Sequence, residues 1–243
     1  MTAPDPAKKL QALVKKLRSQ YGEPVPEGDC EGCPEDGCRL LWRLVYAFLA
    51  WEASASKAGA ATKRLHHAVI DYNEMRVCLN DELAAMIGER YPRAHERAAR
   101  LRSTLNDLYR REHSVKLERA QTLGKREARE YMDSLDGMPP FVSARLSLVA
   151  LGGHAFPLDE RIHQALLEEE AVPAGLPLPD AAGWLERHFR AGEALPAYLL
   201  IEKWMEDRPA QRKPATARAG GAKGRPAPEK TRGAARPGRA GKP

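Results

Sequence analysis

The sequence holds 243 residues, 43% of them apolar and 6% aromatic, with a formal net charge of +6. The length suits one large or two small domains, and the apolar share is enough for a real core. No apolar run approaches the roughly 18 residues of a membrane span, and the N-terminal MTAPDPAKKLQALVKKL lacks an apolar signal core. A cytoplasmic protein is expected, nucleoid-associated if bacterial, with its cysteines reduced.

The periodicity is helical almost throughout. A first amphipathic helix is predicted from about Pro6 to Tyr21, with Leu10, Leu13, Val14 and Leu17 inside. The loop GEPVPEGDCEGCPEDG follows, and then a strongly apolar helix carrying Leu40, Leu41, Leu44, Val45, Phe48 and Leu49. A further helix covers about Ser56 to Val69. Asn80 is a candidate cap for the helix DELAAMIGER. Pro92 opens a long helix to about Glu112, with Ala98, Leu101, Leu105 and Leu108 inward. GKREAREYMDSL is helical up to Gly137. Helices at about Phe141–Leu151 and Glu160–Glu169 come next, Asp180 is expected to cap AAGWLERHFRAG, and PAYLLIEKWMED ends the body. No strand pattern and no fixed-period repeat is visible, so the body is all-α.

The charge is unevenly placed. Residues 208–243 carry eleven Lys and Arg against one acid, with six prolines and six glycines. A whole-chain +6 less the tail's +10 leaves −4 on the rest. Such a tail buries too little surface to offset chain entropy and is expected to be disordered. Its spaced cations, among them Arg212, Lys213, Arg218, Lys223 and Arg225, suit phosphate backbones through counterion release.

The stretch LDGMPPFVSARLSLVALGGHAFPLDERI, from Leu135, reads as a turn, an apolar helix, a glycine pair and a second helix opened by an aspartate. It resembles the signature of the helix-hairpin-helix DNA glycosylases related to endonuclease III, roughly L-P-G-V-G-x-K-T-A, an apolar helix, F-G and P-V-D-T-H-V. The leucine, first glycine, apolar helix, glycine pair and Pro-apolar-Asp triplet are kept. So is the spacing of 18 between the position of the family's lysine, here Phe141, and its aspartate, here Asp159. Upstream, LLWRLVYAFLAWEASASKAGAATKRL and IGERYPRAHERAARLRSTLNDLY are similar to the family's early helix and pre-hairpin segment.

The resemblance implies a two-lobed helical bundle over residues 1–207. One lobe spans about 38–151; the other joins 1–37 to 152–207, so that the first helix returns against the last. It implies a monomer that binds double-stranded DNA. It also makes Asp159 the catalytic candidate, since base removal builds positive charge on the sugar and a carboxylate steadies it. For that, the carboxyl must project into a cleft that admits an extruded nucleotide. Gly137, Met138, Ser143, Arg145 and Arg161 become candidate DNA contacts on the hairpin and the second helix. On composition alone, Asp159 is an ordinary helix cap.

Four departures bear on this. Phe141 has no amine, so a Schiff base with the sugar is not expected there. Pro139 and Pro140 replace the second glycine and its neighbour and offer no N–H to a phosphate. LDERI replaces D-T-H-V, and Glu52 stands near the family's DNA-wedging glutamine. A monofunctional N-glycosylase using Asp159 and water is one expectation. A noncatalytic DNA-binding or nucleoid-associated module on the same scaffold is the other, and an all-α adaptor is more remote.

Cys30, Cys33 and Cys38 form C-x2-C-x4-C, and the only other cysteine is Cys78. No cysteine follows it, so the family's C-terminal iron–sulfur cluster is not expected. The trio could hold zinc or a cluster with Cys78, His66 or His67 as a fourth ligand, but a second matched pair is missing. Three reduced thiols is the plainer reading. His154 and His163 lie near Asp159 in sequence.

Overall fold

The computed structural model describes residues 5–24 and 39–208. Among them run twelve helices: α1 (Pro6–Tyr21), α2 (Arg39–Ala50), α3 (Ala55–Ala68), α4 (Tyr72–Val77), α5 (Asn80–Ile87), α6 (Ala94–Glu112), α7 (Glu118–Thr122), α8 (Lys125–Asp133), α9 (Pro140–Val149), α10 (Glu160–Glu168), α11 (Leu178–His188) and α12 (Ala191–Asp207). No strand occurs among the described residues. The chain divides after Pro209, and every described residue belongs to the first unit. No described helix is long and apolar enough to cross a membrane.

Helix α2 is the axis of the core. Ten of its twelve residues are buried, and α3, α6 and α9 all pack on it. Helix α1 folds back onto α12 through Leu10, Leu13, Val14 and Leu17, the stripe read from its sequence. Helices α8 and α9 pair as the two arms of a hairpin around residues 134–139.

Several boundaries differ from the sequence reading, each for a local reason. Leu79, not Asn80, holds the N-cap of α5, and Glu82 reaches back to accept the Leu79 N–H at 2.8 Å. Asp180 lies inside the first turn of α11, whose N-cap is Pro177. Helix α12 starts five residues before Pro196. It tolerates that proline inside because Ala194, Ala197 and Tyr198 are buried around it; packing here outweighs the missing N–H. Helices α4 and α7 have six and five residues, too few for a periodic signal to show.

Candidate active-site cleft

Asp159 ends an extended approach (φ −112°, ψ 173°) and caps α10, with Oδ1 accepting the Ile162 N–H at 2.8 Å. Its other oxygen, Oδ2, accepts the Glu52 N–H at 2.9 Å. The side chain is 1% exposed. Burial pushes its carboxyl up from 3.8 to about 6, and the neighbouring Glu52 charge adds to this; the two amides and Arg161 pull the other way.

What covers Asp159 is the turn between α2 and α3. The last carbonyls of α2 have no intrahelical partner. Arg97, fully buried on α6, donates to Phe48 and Leu49, and the Tyr91 hydroxyl donates to Leu49 at 2.6 Å. The chain then reverses through Glu52, whose φ of 55° lies in the left-handed region. That reversal sends the Glu52 carboxylate to the start of α10, where it accepts the Glu160 N–H at 2.8 Å. Arg161 donates to the Ala53 carbonyl. On the far side, Glu206 of α12 accepts the Ala55 and Ser56 N–H groups at 2.5 and 3.4 Å. Side chains from α10 and α12 therefore hold the turn closed over the aspartate.

The space left beside Asp159 is about 10 Å³, walled by Ala53, Phe141, Tyr198, Glu202 and Glu206. That is room for one water, not a base. An open pocket of about 470 Å³ lies beyond, lined by Tyr21, Glu23 and Lys203 and sharing Ala55, Glu202 and Glu206 with the small cavity. Where a carboxyl projecting into a wide cleft was expected, Asp159 is 1% exposed in this conformation and covered by the α2–α3 turn.

The candidate DNA contacts separate. Gly137 has φ +77°, and a Cβ there would lie 2.7 Å from the Arg100 carbonyl, so the hairpin turn needs glycine. Met138 packs partly against the core, and its N–H goes to the Leu135 carbonyl at 3.2 Å. Ser143 and Arg145, also expected as DNA contacts, face the interior instead. Their side chains are 0% and 1% exposed, on faces of α9 turned inward by packing against α2 and α12. Arg145 donates to the Tyr198 hydroxyl at 3.2 Å, lies 3.4 Å from Glu202, and stacks over Tyr46 at 4.6 Å. The Val142 and Ser143 amides both point to the Pro139 carbonyl. Arg161 is half-buried and engaged with Ala53. Phe141 is 4% exposed, a packing residue at the family's lysine position.

Arg212, Lys213, Arg218, Lys223 and Arg225 lie outside the described residues, as do Cys30, Cys33 and Cys38. Cys78 is partly buried, and burial, then Glu82 and Glu74, push its thiol up. Among the described residues no three His, Cys, Asp or Glu side chains group as metal ligands. His66 stacks on Trp42 with ring centres 3.9 Å apart, and burial lowers it from 6.5 to about 4. His154 contacts the Glu186 carbonyl at 2.7 Å, outside the walls of the Asp159 cavity. His163 is buried on α10.

Arg97, Glu206 and the Tyr198–Glu202 pair escaped the sequence reading. Arg97 left one trace, a cation four residues before Leu101 on the inward stripe of α6. Glu206 left none, because its partners lie 150 and 151 residues away.

Neither a family model nor a curated protein matches the sequence. Solved structures do match the fold. A non-covalent endonuclease III–DNA complex aligns with a TM-score of 0.62 at 12% identity, over 82% of this chain and 85% of that one. The Clostridium acetobutylicum 8-oxoguanine glycosylase/lyase, bound to double-stranded DNA with cytosine opposite 8-oxoguanine, gives 0.59 at 15% identity, over 84% and 71%. A thermostable thymine-DNA glycosylase gives 0.57 at 15% identity, over 85% and 90%. The fold is that of the helix-hairpin-helix DNA glycosylases.

Proposed function

We propose that the protein binds double-stranded DNA on this glycosylase scaffold and does not excise bases through Asp159. The sealed carboxylate carries the reading. Both oxygens accept backbone N–H groups, and the adjoining space of about 10 Å³ has room for one water at most. A catalytic carboxylate must touch the sugar it steadies. Phe141 supplies no nucleophile in its place. DNA binding is supported by the shared fold and by the tail's +10 charge. Asp159 then serves as a clamp that joins α10 to the α2–α3 turn.

The test is duplex binding by the full chain across a salt series. Affinity for an undamaged duplex should fall steeply as salt rises, and Asp159→Asn should bind within about three-fold of the unaltered protein. Absence of duplex binding at low salt would defeat the proposal.

A second reading has one observation in its favour. The 470 Å³ pocket shares Ala55, Glu202 and Glu206 with the Asp159 cavity. Displacing that shared wall would join them and make room for a base beside the carboxylate, as a monofunctional N-glycosylase requires.

A further inference from the structure

We infer that Trp51, Arg93 and Arg100 form a contact surface for duplex DNA, set beside the hairpin by the clamp on the α2–α3 turn. The inference rests on the proposed DNA binding and names where the body of the protein meets the duplex.

The turn has two sides. Its inner side is occupied: Glu52 N–H on Asp159, Glu52 carboxylate on Glu160, the Ala53 carbonyl on Arg161. The left-handed φ of Glu52 turns that side chain inward and away from the position of a wedge. Trp51, half-buried, lies instead on α6 among arginines. The Arg93 guanidinium carbon is 4.8 Å from its ring centre, and those of Arg100 and Arg97 are 5.5 and 5.7 Å away.

Arg97 is the buried member and is committed to the end of α2. Arg93 and Arg100 are different, with side chains 48% and 42% exposed. Glu96 meets both through Nε, at 3.1 Å each, one oxygen per arginine. A guanidinium has five N–H donors, so this contact orients each head and leaves it able to grip a phosphate. The preorganised pair, held by Glu96 and by the indole face, loses less freedom on binding than two unheld side chains would.

The surface is continuous with the hairpin. Gly137 packs so tightly on α6 that a Cβ would meet the Arg100 carbonyl at 2.7 Å. Residues 96, 97 and 100 share one face of α6 by their spacing, and Arg93, at the N-cap just before the helix, reaches the same Glu96. The N-terminal end of α6 thus brings together the Trp51 indole packed on it, both exposed guanidiniums and the seat of the hairpin. Pro139 and Pro140 removed N–H groups from the hairpin; guanidiniums one step away supply phosphate donors in their place. The occupant this chemistry fits is duplex DNA, a polyanion that also presents sugar and base edges. The indole offers an apolar contact to those edges.

The test uses the full chain, a fluorescent duplex and fluorescence anisotropy over a salt series. Arg93→Gln/Arg100→Gln should weaken binding roughly ten-fold or more at low salt. It should also lower the steepness of the salt dependence by about two phosphate contacts. Trp51→Ala should weaken binding by about three-fold to ten-fold with the salt dependence unchanged, because an indole neutralises no phosphate. Melting curves of each variant check the fold, and the double glutamine variant, altered only at exposed heads, stays informative if Trp51→Ala unfolds. Binding by the unaltered chain with no change in either variant would overturn the inference and leave the DNA-binding reading standing. A chain that binds no duplex at all would overturn both.

Discussion

A carboxylate that steadies a sugar cation has to remain charged, and burial works against that. Asp159 takes up its proton at about pH 6 when folded, against an ordinary 3.8. Between those values the folded state holds the extra proton, so this residue stabilises the fold as pH falls from above 6 to below 4. Above pH 6 its charge costs on the order of 3 kcal/mol. His66 runs the other way. Held neutral to about pH 4 against Trp42, it withdraws stability as pH falls from 6.5 toward 4. The two effects oppose each other in one window and separate only in variants. In denaturant titrations the stability of Asp159→Asn relative to the unaltered chain should be higher at pH 7.5 than at pH 4.5, on top of a pH-independent loss because its NH2 cannot accept the N–H that one carboxylate oxygen accepts. His66→Gln should remove part of the acid sensitivity. A difference between Asp159→Asn and the unaltered chain that does not vary with pH would contradict the burial of a titrating carboxyl. Gly137 gives a simpler case. With φ +77° and the Arg100 carbonyl 2.7 Å from any Cβ, Gly137→Ala should cost about 2 kcal/mol or more, read as a lower urea midpoint.

The turn after α2 depends on groups no local pattern announces. Arg97 donates to the Pro92, Phe48 and Leu49 carbonyls from full burial, and burial draws its guanidinium down from 12.5 to about 10. Arg97→Met keeps the bulk but removes the donors to the Pro92 and Phe48 carbonyls and leaves Leu49 only the Tyr91 hydroxyl, an expected loss of about 2–4 kcal/mol by chemical unfolding. The long helices were legible because each buries a 3.6-period stripe: Leu10 to Leu17 in α1 and Ala98 to Leu108 in α6 stand where their spacing puts them. The hairpin and the aspartate at the head of α10 were legible because the stretch from Leu135 to Asp159 resembles the glycosylase signature. What spacing could not convey was the surroundings of Asp159. The Glu52 amide, the Glu206 carboxylate and Phe141 close over it from three distant parts of the chain. For the same reason Ser143 and Arg145, polar residues on a helix, read as surface groups although α9 is enclosed on nearly every side.

Across the chain the charges are divided, with −4 on residues 1–207 and +10 on residues 208–243. A body of that sign gains little from long-range attraction to DNA, so the proposed binding would draw on local guanidiniums such as Arg93 and Arg100, with the tail adding its own charge. The tail's charge, in contrast, acts without sequence preference. On the proposed reading, a glycosylase fold with its carboxylate covered binds DNA without excising a base, and the chemistry is the part open to direct measurement. The full chain, in excess over duplexes each carrying one damaged base, should release no free base detectable by mass spectrometry, and borohydride should trap no covalent adduct. Release of a base that disappears in Asp159→Asn would show that the turn opens and that Asp159 is catalytic, contradicting the central claim.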